Sequence, residues 1–501
     1  MTEMNKSLTG APTAKETNWD SINWNQAKSE VKRLQMRIAK AMREKRYGKV
    51  RALQRLLSHS FYGKSIAVKR VTQNKGSKCP GIDGIVWRTK RQKMQAILSI
   101  KRLGYKSQPL RRIYIPKKNG RRPLSIPTMK DRAMQALHLL GLEPVAESIA
   151  DKNSYGFRPK RSAADAISQC YNSLCRKNSA KWIFEGDIES FFDRVDFSWL
   201  EKNILMDKVI LKRFLRAGYV EKTSIEATTQ GVPQGGLISP VIALITLSGL
   251  EEQLAQKFKR NRGKVNMIIY ADDFVITGES KELLENDVIP IVEEFLAERG
   301  LQLSQEKSHI THISQGFNFL GFHVRKYGKE LKFLTKPSKA SVKTFLADIK
   351  RTIQENSGAN AENLIRQLNP KIIGWTNYYK HSAASKVFSY IDNHIFKKLY
   401  RWIGKRHQNK GQRWTYNKYF QRNNSLRRWH FHAKFRDDKQ NTTYLNLELA
   451  SDTKIVRHTK TLSEATPYDP KYFEYFQKRE NDKRVASVVK SDNRALSLIN
   501  A

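Results

Sequence analysis

Two neighbouring carboxylates, Asp272 and Asp273, stand in the tetrapeptide Tyr270-Ala271-Asp272-Asp273, flanked by apolar, β-branched runs at residues 265–270 and 274–277. Such runs read as buried strands, so the four residues read as the tip of a β-hairpin. Successive strand residues point to opposite faces; adjacent aspartates can therefore approach one ion only where the chain turns. A hard divalent cation would offset their mutual repulsion, which makes the pair a candidate metal site. Taken alone, the tetrapeptide would better suit an ordinary Asp-Asp turn with solvated side chains. A third carboxylate, Asp187, lies upstream in Trp182-Ile183-Phe184-Glu185-Gly186-Asp187, just past a short buried strand expected at residues 182–184. Aspartates from separate strands can hold two Mg2+ ions roughly 3.5–4 Å apart, one activating a hydroxyl nucleophile and the other steadying a pyrophosphate leaving group. Glu189 and Asp193 are nearby acids, read as exposed or salt-bridged because only Asp187 immediately follows the apolar run.

Between these sites runs Gln230-Gly231-Val232-Pro233-Gln234-Gly235-Gly236-Leu237-Ile238-Ser239-Pro240. Three glycines and two prolines in eleven residues specify a tightly turned backbone able to approach a ligand closely, ahead of an apolar, helix-like stretch at 241–250. A bare Gly-rich loop is weak; its position between the lone aspartate and the pair is what carries the signal. Upstream stand Cys79-Pro80-Gly81-Ile82-Asp83-Gly84, Arg112-Ile113-Tyr114-Ile115-Pro116-Lys117-Lys118, Arg122-Pro123-Leu124-Ser125-Ile126-Pro127 and Ser154-Tyr155-Gly156-Phe157-Arg158-Pro159. Downstream come Gly300-Leu301-Gln302-Leu303-Ser304 with Lys307, Phe319-Leu320-Gly321-Phe322, and Gly374-Trp375-Thr376-Asn377-Tyr378-Tyr379.

In this order the motifs resemble those of reverse transcriptases, and specifically the group II intron-encoded reverse transcriptase and maturase family, along about residues 20–480. The resemblance implies an α+β, right-hand polymerase, with fingers and palm built on a small antiparallel sheet, followed by an α-helical thumb or maturase domain. It implies that Asp187, Asp272 and Asp273 are the catalytic carboxylates for two Mg2+ ions, with Ile188 placed in the same metal set. Lys117 and Arg122 would reach the incoming triphosphate, where cations neutralise charge moving onto the leaving group. Phe192 would exclude a ribose 2′-hydroxyl, against the alternative of a core phenylalanine, and Gln234 would contact the nucleotide by hydrogen bonding. The sequence departs from the family pattern at Leu244, where an asparagine is usual, and at Thr246, often tyrosine; altered packing or fidelity is the expected effect.

Composition points the same way independently. Of 501 residues, 92 are Lys or Arg and 47 Asp or Glu, a formal net charge of +45, with a pI near 10.1. A polyanionic partner is implied: on the resemblance, intron RNA, a DNA target and a template–primer duplex. Neither an apolar run of membrane-spanning length nor a signal peptide is evident, and Glu3, Glu16 and Asp20 are unlike a transit segment, so a cytoplasmic location is expected. The three cysteines, Cys79, Cys170 and Cys175, form no Cys-x-x-Cys pair and indicate neither a disulfide framework nor a zinc site.

Four regions are expected. Residues 1–60 form an amino-terminal extension: an unstructured start to about residue 20, then amphipathic helices at 25–57 whose basic faces would grip intron RNA or template. Fingers and palm span 61–330, with helices at 163–175 and 281–299. A helical thumb or maturase domain spans 331–440, interrupted at Asn369-Pro370. In it Arg401, Lys405, Arg406, Lys410 and Arg413 mix with Tyr400, Trp402, Trp414, Tyr416, Tyr419, Trp429 and Phe431. Cations hold phosphates while rings stack on unpaired bases, and about half of these rings should be core instead. Residues 441–501 would contribute to DNA binding. Many relatives continue there into a Cys- and His-rich nuclease; after Ala450 this chain has one histidine and no cysteine, so second-strand cleavage is expected to be absent. The function expected is an RNA-directed DNA polymerase that copies intron RNA during retrohoming and assists splicing. Alternatives are a polymerase-inactive maturase acting as an RNA-binding splicing factor, against which the three aspartates argue, and a retron, diversity-generating, CRISPR-associated or domesticated reverse transcriptase.

Overall fold

The computed structural model describes residues 18–483 except 118–119, 223, 424–427 and 437–441. The unstructured start expected at 1–20 therefore falls, up to residue 17, outside the described residues, as does the chain after residue 483; Trp19–Ser21 form one 3-10 turn. The chain divides into two compact units. One holds residues up to Ala166, Phe184–Ile310 and Thr461–Glu474; the other holds Ile167–Ile183, Thr311–Lys460 and residues from Tyr475 on. This division does not follow the four consecutive regions expected from the sequence.

In the first unit, α1 (Trp24–Arg43), α2 (Tyr47–His59), α3 (Phe61–Gln73) and α4 (Lys90–Ser99) precede α5 (Met129–Ile149). The Asn23 side chain caps α1 by accepting from the Gln26 N–H at 3.1 Å. Val31, Leu34 and Ile38, at helical spacing, are buried while Lys32, Arg33 and Lys40 face outward. α1, α2 and α3 pack on α5 and α4 packs on α3, so these helices belong to the core of the unit. α5 contains Pro144, which cannot donate to the Leu140 carbonyl four residues back. The orphan acceptor is satisfied from α1: Gln35 Nε2 donates to it at 2.9 Å.

Beyond α5, Arg158 and Glu147 form a buried pair, 3% and 1% exposed, joined at 2.7 Å, and Arg158 also donates to the carbonyls of Asp151 and Ser154 at 2.8 and 3.0 Å. Arg158→Met strands the carboxylate and both carbonyls. The expected loss is about 3–5 kcal/mol of unfolding free energy in a denaturant titration; a loss below about 1 kcal/mol, as for a surface pair, would contradict this account.

Two four-stranded sheets follow. The first has the order β2-β1-β4-β5, from β1 (Leu110–Lys117), β2 (Gly120–Ile126), β4 (Tyr219–Glu221) and β5 (Ser224–Glu226). The second has the order β6-β7-β3-β8, from β3 (Trp182–Asp187), β6 (Asn266–Tyr270), β7 (Asp273–Gly278) and β8 (His309–His312). The expected single antiparallel sheet is thus replaced by two, and the first is mixed: β1 pairs parallel to β4 at Leu110↔Tyr219. Strand β3 also outruns the expected 182–184. Gly186 continues it because a Cβ there would lie 2.2 Å from the Phe274 ring, which packs from β7.

Residues 461–474 close this unit. Arg161 donates to the carbonyls of Ser463 at 2.8 Å and Ala465 at 2.9 Å. The Thr461 N–H donates to Asp165 Oδ1 at 2.7 Å, and Tyr468 and Asp469 bond Glu143 and Arg43.

The second unit begins with β9 (Phe317–Phe319), β10 (Phe322–Tyr327) and β11 (Lys332–Pro337), an antiparallel sheet. Helices Lys339–Glu355, Ala361–Tyr379 and Ser385–Arg406 follow. The expected interruption at Asn369-Pro370 is absent: the second helix runs through Pro370. A mid-helix proline costs about 3 kcal/mol, but Leu364, Leu368 and Ile372 on one face are all within 1% of full burial, worth about 1.5–3 kcal/mol each. The region expected to be all helical then turns to sheet, with β12 (Phe420–Asn423), β13 (Arg428–Arg436) and β14 (Thr442–Asn446). Along β13 His430, Phe431, His432 and Ala433 are all buried, so the strand has no in–out alternation to advertise it. Among the described residues no helix is long and apolar enough to cross a membrane.

Candidate active site

Strands β6 and β7 pair antiparallel with Tyr270 opposite Asp273, so Ala271 and Asp272 form the turn. Ala271 sits at φ +60°, a left-handed conformation that costs a non-glycine residue about 1–2 kcal/mol. Neighbouring backbone imposes it. The Tyr155 N–H donates to the Ile269 carbonyl at 2.9 Å and the Ile269 N–H to the Asn153 carbonyl at 3.0 Å, so residues 153–156 lie along the hairpin. Gly156 then touches the turn itself: a Cβ there would stand 2.1 Å from the Ala271 nitrogen.

Asp187 ends β3 in the same sheet. Its carboxylate accepts from Lys307 Nζ at 3.2 Å, its N–H donates to Ser308 Oγ at 3.2 Å, and its carbonyl takes the Ser304 N–H at 2.8 Å. Asp273 reaches solvent, yet protein crowds its charged end. That desolvation, then the charges of Asp272 and Asp187, push its carboxyl up to about 6 while Lys307 pulls it down. The three aspartates therefore share one electrostatic neighbourhood. Among the described residues no group of three or more Asp, Glu, His or Cys side chains is placed to hold a metal ion. Ile188 is 4% exposed and its side chain has no ligating atom, so only its backbone carbonyl could serve a cation. Glu189 is paired with Arg194 at 2.8 Å, as a salt-bridged acid should be.

The glycine-rich loop is clamped between β2 and the short helix Phe191–Arg194. The Val232 N–H donates to the Phe192 carbonyl at 2.6 Å and the Ser125 N–H to the Gln234 carbonyl at 2.8 Å. Gly235, at φ +114°, could not carry a Cβ, which would lie 2.4 Å from the Ser125 oxygen. The clamp brings Gln234 to Arg122, whose Nε donates to Gln234 Oε1 at 2.9 Å. Gln234, Phe192, Arg112 and Ser125 line a polar cavity of about 300 Å³. Phe191 is buried and fills the core, whereas Phe192 is half-buried, on the cavity wall, with Phe157 edge-on at 6.4 Å. Lys117 lies at the end of β1, but its side chain is outside the described residues. Asp193 is exposed, as expected, and it also lines the cavity, where it accepts from Gln234 Nε2 at 3.2 Å. Leu244 and Thr246 are buried in the helix Ser239–Leu247, where they act in packing.

Residues 115–324 match the reverse transcriptase (RNA-dependent DNA polymerase) family, 19–100 the N-terminal domain of reverse transcriptase, and 342–420 the group II intron, maturase-specific domain. The chain is 31% identical to Protein YkfC of Escherichia coli, covering 56% of this chain and 86% of that one. It is 28% identical to the group II intron-encoded protein LtrA of Lactococcus lactis subsp. cremoris, covering 65% and 70%. The chain belongs to the group II intron-encoded reverse transcriptase and maturase family. It is an RNA-directed DNA polymerase. Among solved structures, a telomerase from Candida albicans aligns over 62% of this chain and 64% of its own at 14% identity, with a TM-score of only 0.37.

In the maturase-specific part, Arg401, Lys405, Lys410 and Arg413 are exposed. Arg406 is exposed too, but it is engaged: it donates to the Ala359 carbonyl at 2.7 Å and lies over the Trp402 ring. Trp402, Tyr419 and Phe431 are core, whereas Tyr400 and Trp414 are exposed and Tyr416 is partly so. The Trp429 side chain is outside the described residues. The aromatic set thus divides between packing and surface, and sequence alone offers no signal to sort it.

Proposed function

We propose that this reverse transcriptase copies intron RNA at the end of the inner strands, where Asp187 neighbours the Asp272-Asp273 turn, and that it binds the intron RNA to assist splicing. The observation that carries the reading is the crowding of three carboxylates there, with Lys307 the cation that acts on Asp273. Such a donor set suits hard divalent cations, and Asp187, Asp272 and Asp273, with the backbone carbonyl of Ile188, the residue after Asp187, would hold two Mg2+ ions. Bound there, the metal would stabilise the attacking primer oxygen and the departing pyrophosphate. Arg122 neutralises triphosphate charge with its terminal nitrogens, which have no protein acceptor among the described residues, and Lys117 joins it from the end of β1. Gln234 meets the nucleotide by hydrogen bonding, and Phe192 closes the space beside the sugar.

Extension of oligo(dT) on poly(rA) by the purified protein tests the reading. Mg2+ should support it, excess EDTA stop it, and added Mg2+ restore it; extension that survives chelation would remove the metal assignment. Phe192→Ala is expected to shift the preference for dCTP over rCTP by about 10–200-fold towards the ribonucleotide, the range of single pocket changes. An unmoved ratio would return Phe192 to the core.

RNA binding has its own test. Replacing Arg401, Lys405, Lys410 and Arg413 together by glutamine should reduce the slope of log affinity against log salt by about 3, since each phosphate contact contributes a little under one. Base preference should hardly change. A slope equal to the wild type's would move the RNA grip away from this surface.

A further inference from the structure

The cavity lined by Phe192 and Gln234 contains a carboxylate that the reading above leaves idle. Asp193 accepts from Gln234 Nε2, with its two oxygens at 3.2 and 3.4 Å, while Arg122 Nε donates to Gln234 Oε1 at 2.9 Å. A glutamine amide can present either end, and the partner at one end decides what the other end offers. With its NH2 held by Asp193, Gln234 turns its oxygen to the guanidinium. Reversed, it would set donor against donor at Arg122 and acceptor against acceptor at Asp193.

Both anchors of this bridge are fixed by backbone. The Asp193 N–H donates to the Ser190 carbonyl at 2.8 Å. Gly231, at φ +82°, lies so close that a Cβ would stand 2.6 Å from the Asp193 carbonyl carbon. Gln234 is held to β2 through Ser125, as described. Arg112 lines the same cavity, but its guanidinium lies 3.3 Å over the Tyr219 ring and 3.8 Å from Glu221, so it does not displace Gln234 from Asp193.

We propose that Asp193 is a positioning residue for the incoming nucleotide: it fixes the Gln234 amide, and through it the Arg122 guanidinium, in the orientation that leaves the terminal nitrogens of Arg122 for the triphosphate. The inference rests on the reading of this cavity as the nucleotide site.

Steady-state extension on poly(rA) with dTTP tests it. Asp193→Ala should raise KM for dTTP about tenfold, the effect of losing one charge-assisted hydrogen bond, while kcat and template–primer affinity stay within about twofold. Asp193→Asn keeps an acceptor oxygen and should hold KM within about threefold of wild type. Adding Asp193→Ala to Gln234→Ala should cost nothing further, because the two act through one bridge. If Gln234→Ala raises KM and Asp193→Ala does not, the inference is wrong and the cavity reading stands. If neither raises it, the cavity reading falls and takes the inference with it. Should Asp193→Ala fail to fold, Asp193→Glu, which keeps the charge but moves it by a methylene, is compared with Asp193→Asn. The proposal requires the higher KM for Glu, and equal values overturn it.

Discussion

Asp272→Asn is expected to reduce primer extension on poly(rA) by on the order of a thousandfold or more, at the upper end of what removing one preorganised electrostatic group costs. The amide keeps the size of the side chain and removes one charge from a trio whose repulsion adds to desolvation in holding the Asp273 carboxyl up at about 6. Removing a like charge lowers that repulsion. The variant should therefore unfold at no lower denaturant concentration than the wild type, which separates lost chemistry from lost structure. RNA affinity should be nearly unchanged, because contacts spread along the phosphate backbone dominate it, and splicing assistance should survive. Undiminished extension by this variant would sink the assignment of the Asp272 carboxylate.

The second large effect comes from a residue with no chemistry of its own. Gly156→Ala places a methyl group 2.1 Å from the nitrogen and 2.8 Å from the Cα of Ala271. Both are backbone atoms of a turn already in a left-handed conformation, so no flexible side chain can move aside. Either the turn shifts or residues 153–156 leave β6. A displacement near 1 Å at a reacting centre costs about a hundredfold in rate, and the overpacking should lower stability by about 1–3 kcal/mol. Single-turnover extension and a denaturant titration check the two numbers. Activity within threefold of wild type would show that the close approach does not position Asp272.

How much of this was legible in sequence depended on whether a residue's role is local. The Asp272-Asp273 hairpin was readable because apolar runs flank two charges that must turn together, and the loop at 230–236 because glycine and proline constrain backbone wherever they occur. The role of Gly156 was not readable, since it depends on contact with a turn more than a hundred residues away. Asp193 was legible as an exposed acid, but its contact with Gln234 was not, for a similar reason: proximity to an apolar run ranks acids by strand position, and Asp193 reaches its cavity from a helix that follows a left-handed Ser190. Pro370 misled because its local cost is visible in sequence and the burial that outweighs it is not. Continuous burial hid β13, and the parallel pairing of β1 with β4 joins strands that no pattern of neighbours connects.

The strap at 461–474 sets the order in which this protein can mature. The Asp165 carboxylate that takes the Thr461 N–H waits for a partner made 296 residues later. At about 5–20 residues per second of synthesis, that is about 15–60 s. Once residue 312 is made, the first unit has its helices, its sheets and its carboxylates but still lacks its closing segment, leaving Arg161, Asp165 and Glu143 without the bonds that residues 461–468 give them in the finished fold. Biosynthesis thus opens a time window in which a nascent chain holds the aspartates of a polymerase before its fold is sealed.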